Sequence, residues 1–573
     1  MDILAGKKDR LKELCTSIKP VYWAAVVLTV FSALLRFYKI DQYGLTISDP
    51  QQYYYEAMLW VNGVVGPVST LRPITSIVYA TAIKLFGETD YSIKLVNCFL
   101  GTAIVPMIFY YVRLISNKSH IAFGAAVIIA ISPMMVTYSR LEFPVILACF
   151  FVLSSLIALA QHQISYDKSR YRYAWFYLAL SAVLLGVAVQ IREDTGFLGA
   201  GIFLYLALSR WQSLPPKASF FRILGPAFLF SVVFFCFLAI SIYIMGVDRV
   251  VAAVMRTLNT MGVQKSSSLY LLKAFSLTSY PFQFDRRVTY NLEFGVFKNA
   301  WFAYALLPCL GYSFYKFKGA LASRGKNEAS LLIFLPPILV ANYFLFYILF
   351  GFQDYVGYVY ISFAPLIAFS VVYWLSEIIA SAGKRDVASS PIVWGVVLSL
   401  VFAMHPWKVV DVVGYPTNVY ALHEVIGGEV GDDSQVLMAP TVSDLKYNFF
   451  YWNCPFYFKK QHIHTLEELW PEWDLAQFVK EEKIRFIVLG YWREYDLDQY
   501  IEYELKYLDP FSISKEDYSY QKEYDILLDF ARKNGAIVYE GPMTSPVGNR
   551  IHQHTQEAEV GFTIIDLEGT KLR

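Results

Sequence analysis

Asp49 lies in residues 47–60, ISDPQQYYYEAMLW, directly after the first long apolar run of the chain, with no nearby basic residue that obviously neutralises it. A carboxylate so placed is a candidate for catalysis. The same residues also read as a helix start, with Asp49 as cap, Pro50 at the first helical position and Gln52 at the third. The two roles are compatible, because a cap can present its carboxylate to a cavity. In a helix from residue 50, Tyr53, Glu56, Ala57 and Trp60 share one face, either as an interfacial aromatic belt or as the wall of a pocket. Two more charged turns follow, Arg140 with Glu142 in YSRLEFPVI, and Arg192, Glu193 and Asp194 in QIREDTGFL. Arginine suits a phosphate; the plainer readings are an interfacial ion pair or snorkelling at the first turn and a solvated, capped turn at the second. Recurrence favours chemistry, since ionisable groups beside apolar runs tend to line cavities.

Apolar residues dominate around these turns. The 573 residues are 56% hydrophobic and only 17% charged, with a mean hydropathy of +0.41, where a soluble chain carries about 25% charged residues. A net charge of +2 suggests neither nucleic acid nor an acidic partner. The six cysteines are scattered singly, which indicates neither a disulfide framework nor a zinc site. His552 and His554 lack an acid at ligand spacing, and the Arg286-Arg287 pair reads as solvated. No P-loop, GxSxG, HExxH or dinucleotide-binding glycine pattern is present, so ATP-driven and serine-hydrolase chemistry are unsupported.

Apolar runs fall near 21–38, 96–112, 121–138, 143–161, 174–190, 196–209, 223–245, 299–315, 330–350, 358–380 and 391–407. They predict a mostly α integral membrane protein with about 11 transmembrane helices. The segment 73–87 is too short and interrupted to count, and reads as interfacial or re-entrant. Residues 1–20 are basic and lack a cleavage-site pattern, so the first run is expected to be a retained span. One set of loops carries Lys7, Lys8, Arg10, Lys12 and Lys19, then Arg113 and Lys118, then Lys168, Arg170 and Arg172. It continues through Arg210, Lys217 and Arg222, then Lys316, Lys318, Arg324 and Lys326, and ends at Lys384 and Arg385. The alternating short loops carry only Arg140 and Arg192. The basic set, with the N-terminus, is therefore expected in the cytoplasm. The outer loops 39–95 and 246–298 and a soluble tail from 410 to 573 then lie outside. Within the multi-span region 21–409, the 39–95 loop is the catalytic candidate. In the tail, SQVLMAP, RFIVLGY and AIVYEGP read as buried strands, and DLAQFVKEEK and YDILLDFARKNG as amphipathic helices, the second stopped by Asn534-Gly535. The alternation predicts an extracytoplasmic α/β domain.

Asp49, Tyr53, Arg72-Pro73, Lys84-Leu85-Phe86-Gly87 and Lys94, followed by ISPMMVTYSRLEFPVILACFFVLSSL, resemble the polyprenyl-phosphate-sugar-dependent glycosyltransferases of the GT-C fold. The resemblance is to the branch of protein O-mannosyltransferases and lipid A aminoarabinose transferases, and covers about residues 20–210. It implies a sugar moved from a polyprenyl-phosphate donor to a hydroxyl of a protein, lipid or glycan. Asp49 would be the general base of an inverting attack. Arg72, Arg140 and Arg192 would hold the donor phosphate, and Tyr53, Glu56, Glu142 and Glu193 would line the substrate pocket. The chain departs from the family in two places: the usual acidic pair is Asp49-Pro50, and the late Arg-Tyr appears as FQDYVGYVY without arginine. No metal ligand is assigned; dependence on a divalent metal stays open but disfavoured.

The implied partners are the bilayer, the lipid-linked donor and the acceptor, in a multi-pass protein of a prokaryotic inner membrane. The rival classes are a lipid or sugar transporter or flippase, and a non-catalytic scaffold of the same fold. A transporter should show internal repeats, and none stands out. The charge bias gives a direct test of orientation. In intact cells an impermeant maleimide should label Gly569→Cys in the tail and leave Ser169→Cys in the basic 168–172 turn untouched; the reverse pattern would invert the topology.

Overall fold

The computed structural model describes residues 20–42, 50–61, 73–87, 89, 91–213, 220–245, 306–322, 331–350, 360–381, 430, 434–439, 462–465, 475–493, 519–543 and 559–567. Its helices are α1 Pro20–Phe37, α2 Pro50–Val61, α3 Pro73–Phe86, α4 Ser92–Ser116, α5 Ser119–Ile131, α6 Pro133–Ser139, α7 Val145–Asp167 and α8 Tyr171–Ile191. They continue with α9 Phe197–Ser213, α10 Phe220–Met245, α11 Leu306–Ala322, α12 Leu335–Phe350 and α13 Ala364–Ser381. Among the described residues, Ser92–Ser116, Val145–Asp167, Tyr171–Ile191, Ile223–Ile240 and Ala364–Ser381 are long and apolar enough to cross a membrane, and five further apolar helices are shorter. The expected run at 391–407 and the loop 246–298 lie outside the described residues. The run read as continuous over 121–138 is broken: Pro133 cannot donate to Ile129, and the helix restarts with Ser132 accepting from the Met135 amide. The 73–87 segment forms the short helix α3.

The chain divides into two compact units. The first comprises Met1–Tyr38, Pro67–Thr75 and Val96–Val413. At its centre α5 is apolar all round, with Ile121, Ala122 and residues 124–131 buried, as a helix enclosed by others must be. It packs against α1 and α13. The hairpin of α7 and α8 turns at Ser169, whose φ of 56° supplies the left-handed stop, and Ser155 donates to the Ser181 carbonyl across it at 2.8 Å. Successive contacts of α8 with α10, α10 with α9, and α9 with α12 extend the bundle. Gly201 permits the last of these, since a Cβ there would lie 2.6 Å from Leu339. The outward faces are themselves apolar: Val26, Val27, Val30, Phe31 and Leu34 on α1, and Phe228, Val232, Phe235 and Ile240 on α10, are exposed. Such faces suit lipid, where helices satisfy their own backbone groups.

The second unit comprises Lys39–Gly66, Ser76–Leu95 and Gly414–Arg573. It contains β1 Gln435–Ala439, β2 His462–Thr465, β3 Phe486–Arg493, β4 Ala536–Met543 and β5 Glu559–Asp566, with helices α14 Leu475–Glu481 and α15 Ser519–Asn534. The sheet order is β2-β1-β3-β5-β4, parallel across β2, β1 and β3 and antiparallel beyond. Leu437, Ile487, Leu489 and Ile565 form one face and pack with Leu475 and Val479 of α14 and Leu527 and Ala531 of α15. Gly535 lets the chain turn tightly from α15 into β4, because a Cβ there would meet Ile565 at 2.5 Å and the Asp566 carbonyl at 2.8 Å. Three strands and two helices occupy the positions expected from sequence; β2 and β5 were not anticipated. Leu527 is fully buried, so Leu527→Ala should cost about 2–5 kcal/mol, read as faster proteolytic cleavage within 434–567 of the purified protein.

Candidate functional site

Asp49 and Arg72 lie outside the described residues. Each immediately precedes a helix that opens on proline, α2 at Pro50 and α3 at Pro73, the first-turn position where a missing amide costs nothing. On α2, Tyr53, Tyr54 and Ala57 are buried and Trp60 is half-buried. The inward stripe therefore runs through 53, 54 and 57, close to the face expected from the i, i+3, i+4 spacing. Only the backbone of Glu56 is described. On α3, Thr75, Ser76, Tyr79, Ala80, Ala82 and Ile83 face inward. Lys94, near the start of α4, has a fully buried side chain.

Arg140 and Glu142 are both 0% exposed, so the turn at 139–143 is not solvated. Arg140 Nη1 donates to the carbonyls of Leu35 at 3.1 Å, Arg36 at 3.3 Å and Tyr38 at 2.8 Å. These belong to the last turn of α1 and the residue after it, where carbonyls lack amide partners and a cation also meets the negative end of the helix dipole. A second buried arginine, Arg36, reaches the other way. Its Nη1 donates to Ala130 O at 3.2 Å and its Nη2 to Ile129 O at 3.3 Å, the end of α5 that Pro133 leaves without an amide. Its Nε donates to Ser139 Oγ at 3.1 Å, and it also bonds the Ser32 hydroxyl on its own helix.

Residues of α4 complete this junction. Asn97 Nδ2 donates to the carbonyls of Leu141 at 2.6 Å and Phe143 at 3.0 Å. Cys98 Sγ lies 3.2 Å from the carbonyls of Arg36 and Ser139. Gly101 leaves room for both arginine and serine, since a Cβ there would stand 2.1 Å from Ser139 Oγ and 3.0 Å from Arg36 Nε. The sequence reading missed Arg36, Asn97, Gly101 and Ser139. Arg36 was the available signal, as a lone cation near the end of an apolar run.

Arg192 is buried at 7% exposure and sits on a separate turn. Its amide bonds Ala188 O at 2.8 Å, ending α8, and its carbonyl accepts from Thr195 Oγ1 at 2.7 Å. Glu193 and Asp194 follow in a single 3-10 turn, of which only the backbone is described. Among the described residues no group of three or more His, Cys, Asp or Glu is placed to hold a metal ion.

Removal of the guanidinium discriminates two roles for Arg140. Arg140→Met strips a donor from the buried Arg36 carbonyl and from the half-buried Leu35 and Tyr38 carbonyls, and a buried carbonyl left unsatisfied costs about 1–3 kcal/mol, so the unfolding temperature of the purified protein should fall. An unchanged unfolding temperature with weakened lipid-phosphate binding would make Arg140 a ligand rather than a helix cap.

The family model described as dolichyl-phosphate-mannose-protein mannosyltransferase matches residues 72–238, a stretch that includes α3 to α9 and the junction residues of α4 and the 139–143 turn. The chain is similar to ArnT from Cupriavidus metallidurans bound to undecaprenyl phosphate, at 10% identity and a TM-score of 0.54, covering 95% of this chain and 98% of that one. The apo state of the same ArnT matches at 12% identity and a TM-score of 0.52, covering 86% and 96%. The Archaeoglobus fulgidus oligosaccharyltransferase tethered with an acceptor peptide matches at 12% identity and a TM-score of 0.48, covering 82% and 68%. A search of curated protein sequences gives no significant match. The chain therefore has the fold of ArnT, and its residues 72–238 are similar to the dolichyl-phosphate-mannose-protein mannosyltransferases.

Proposed function

We propose that the protein moves a sugar from a polyprenyl-phosphate donor to an acceptor hydroxyl at the outer face of a prokaryotic inner membrane. The observation that carries this reading is the match to the mannosyltransferase family over 72–238. The fold shared with an ArnT that binds undecaprenyl phosphate supports it. In this reading the N-terminus is cytoplasmic, and the tail from 410, with its α/β sheet, is extracytoplasmic.

Asp49 is the general base. Its carboxylate takes the acceptor proton while the acceptor oxygen attacks the anomeric carbon, and the bond from that carbon to the phosphate oxygen breaks, leaving its electron pair on the lipid phosphate. Displacement from the opposite face inverts the anomeric centre. The leaving group is already a phosphate, so the reaction needs no nucleotide motif, and cationic side chains stabilise the charge that develops on it. Arg72 and Arg192 take that role. Arg140 instead caps the end of α1 and the residue after it through its Nη1. Tyr53, Glu56, Glu142 and Glu193 are the further candidates for recognising the sugar and the acceptor.

Because general-base catalysis contributes about 10²–10⁴-fold, Asp49→Asn should lower turnover by roughly that factor. Retention of polyprenyl phosphate by the purified variant should match wild type. Normal transfer by the Asn variant would remove Asp49 from the mechanism, and loss of lipid retention would make it a binding residue.

A further inference from the structure

One side of α4, bearing Asn97, Cys98 and Gly101, is spent on the junction with α1 and the 139–143 turn. The outward side has a chemistry of its own. Phe99, Pro106 and Tyr110 are exposed, and Ala103 and Arg113 are half-buried. Steps of three and four residues place them in one stripe, which continues to Asn117, whose left-handed φ of 55° follows the helix end. The stripe changes character along its length. Phe99, Ala103 and Pro106 are apolar, with two short side chains between the rings of Phe99 and Tyr110, whereas Tyr110, Arg113 and Asn117 are polar.

The polar half lies level with a membrane boundary. Tyr22, in the first turn of α1, meets Phe109 edge-on with ring centroids 5.7 Å apart. That level is about 20 Å along α1 from Arg36, at 1.5 Å per residue. Tyr22 and Trp23 are both exposed there, as aromatic side chains are where bilayer meets water. From α7, Gln161 Nε2 donates to Tyr110 Oη at 2.7 Å, so the Tyr110 hydroxyl is already an acceptor and keeps its own proton to give. Arg113 donates through Nη1 to the Asn117 side chain. Among the described residues it pairs with no carboxylate, and its Nε has no hydrogen-bond partner. Lys118, the next cation along, is already paired with Glu377 at 2.5 Å.

Side chains three residues apart on a helix are neighbours, so Tyr110 and Arg113 offer a hydroxyl and a guanidinium to the same anion. Guanidinium matches the oxygens of a phosphate. Between Phe99 and Tyr110 the helix rises about 16 Å, which gives an apolar track for a hydrocarbon chain leading away from that phosphate. We propose that this face of α4, with Gln161 of α7, seats one anionic glycerophospholipid of the surrounding bilayer. Its phosphate rests on Arg113 and Tyr110, and one acyl chain follows Pro106, Ala103 and Phe99. Charge decides the occupant, because a guanidinium without a carboxylate partner favours a lipid of net negative charge over a zwitterionic one. None of these residues takes part in the proposed sugar transfer.

The test is native mass spectrometry of the full chain, delipidated in detergent and titrated with dioleoyl phosphatidylglycerol, dioleoyl phosphatidylethanolamine or undecaprenyl phosphate. Phosphatidylglycerol should bind saturably, and roughly tenfold or more tightly than phosphatidylethanolamine. Arg113→Gln should weaken it by roughly tenfold, and Tyr110→Phe, which keeps the ring and removes the donor, by about threefold. Arg113→Lys should restore part of the loss. Arg172→Gln, an equal change of charge at the exposed turn between α7 and α8, should bind as wild type does, which separates a seated lipid from a general attraction to basic residues. Tyr110→Phe removes a single oxygen, so it reports even if Arg113→Gln disturbs the bundle. Phosphatidylglycerol binding that is indifferent to both α4 substitutions, or weakened as much by Arg172→Gln, would overturn the proposal. So would an Arg113→Gln variant that loses undecaprenyl phosphate and keeps phosphatidylglycerol, which would make this face a site for the donor lipid.

Discussion

Backbone carbonyls at helix ends, which no amide of their own helix serves, set the terms for the first unit. A buried polar group left without a partner costs more than the hydrogen bond it would have made is worth, and an apolar surround raises that cost. Two arginines meet the demand reciprocally. Arg36, carried by α1, serves the end of α5, and Arg140, beyond α6, serves the end of α1. Each therefore needs the other's helix in place, and Gly101 of α4 lets them approach.

That constraint changes how the charged turns are understood. Arginine beside an apolar run at an outer turn suggested a phosphate ligand at both 140 and 192. For Arg140 the geometry supplies a helix-capping role of the kind that guanidinium performs well, with several donors spread over one plane. Arg192 differs, because the contacts described at that residue engage its backbone in ending α8. The two residues read alike in sequence and are placed differently by the fold.

Much of the fold was legible beforehand for a physical reason: hydropathy and periodicity report burial, which is what membrane helices and sheet cores require. The helix start at Pro50, the stop at Asn534-Gly535 and three strands of the tail followed from local rules. What escaped depends on distant partners. Pro133 breaks an apolar run that hydropathy reads as continuous, and Arg36 makes the break tolerable from a position 93 residues away. β2 is four residues of alternating histidine, His462-Ile463-His464-Thr465, recognisable only by its pairing to β1. The role of Gly101 is likewise a property of three segments meeting, and no spacing within α4 announces it.

The proposed transfer releases one lipid phosphate per sugar and inverts the anomeric carbon. The most direct measurement supplies the purified protein in proteoliposomes with a polyprenyl-phosphate sugar labelled at the anomeric carbon, together with a hydroxyl-bearing acceptor. The product's anomeric configuration and the released lipid are then determined. One polyprenyl phosphate released per sugar transferred, with the anomeric configuration inverted, is the predicted result. Retention of configuration, or sugar movement across the bilayer without release of lipid phosphate, would contradict it.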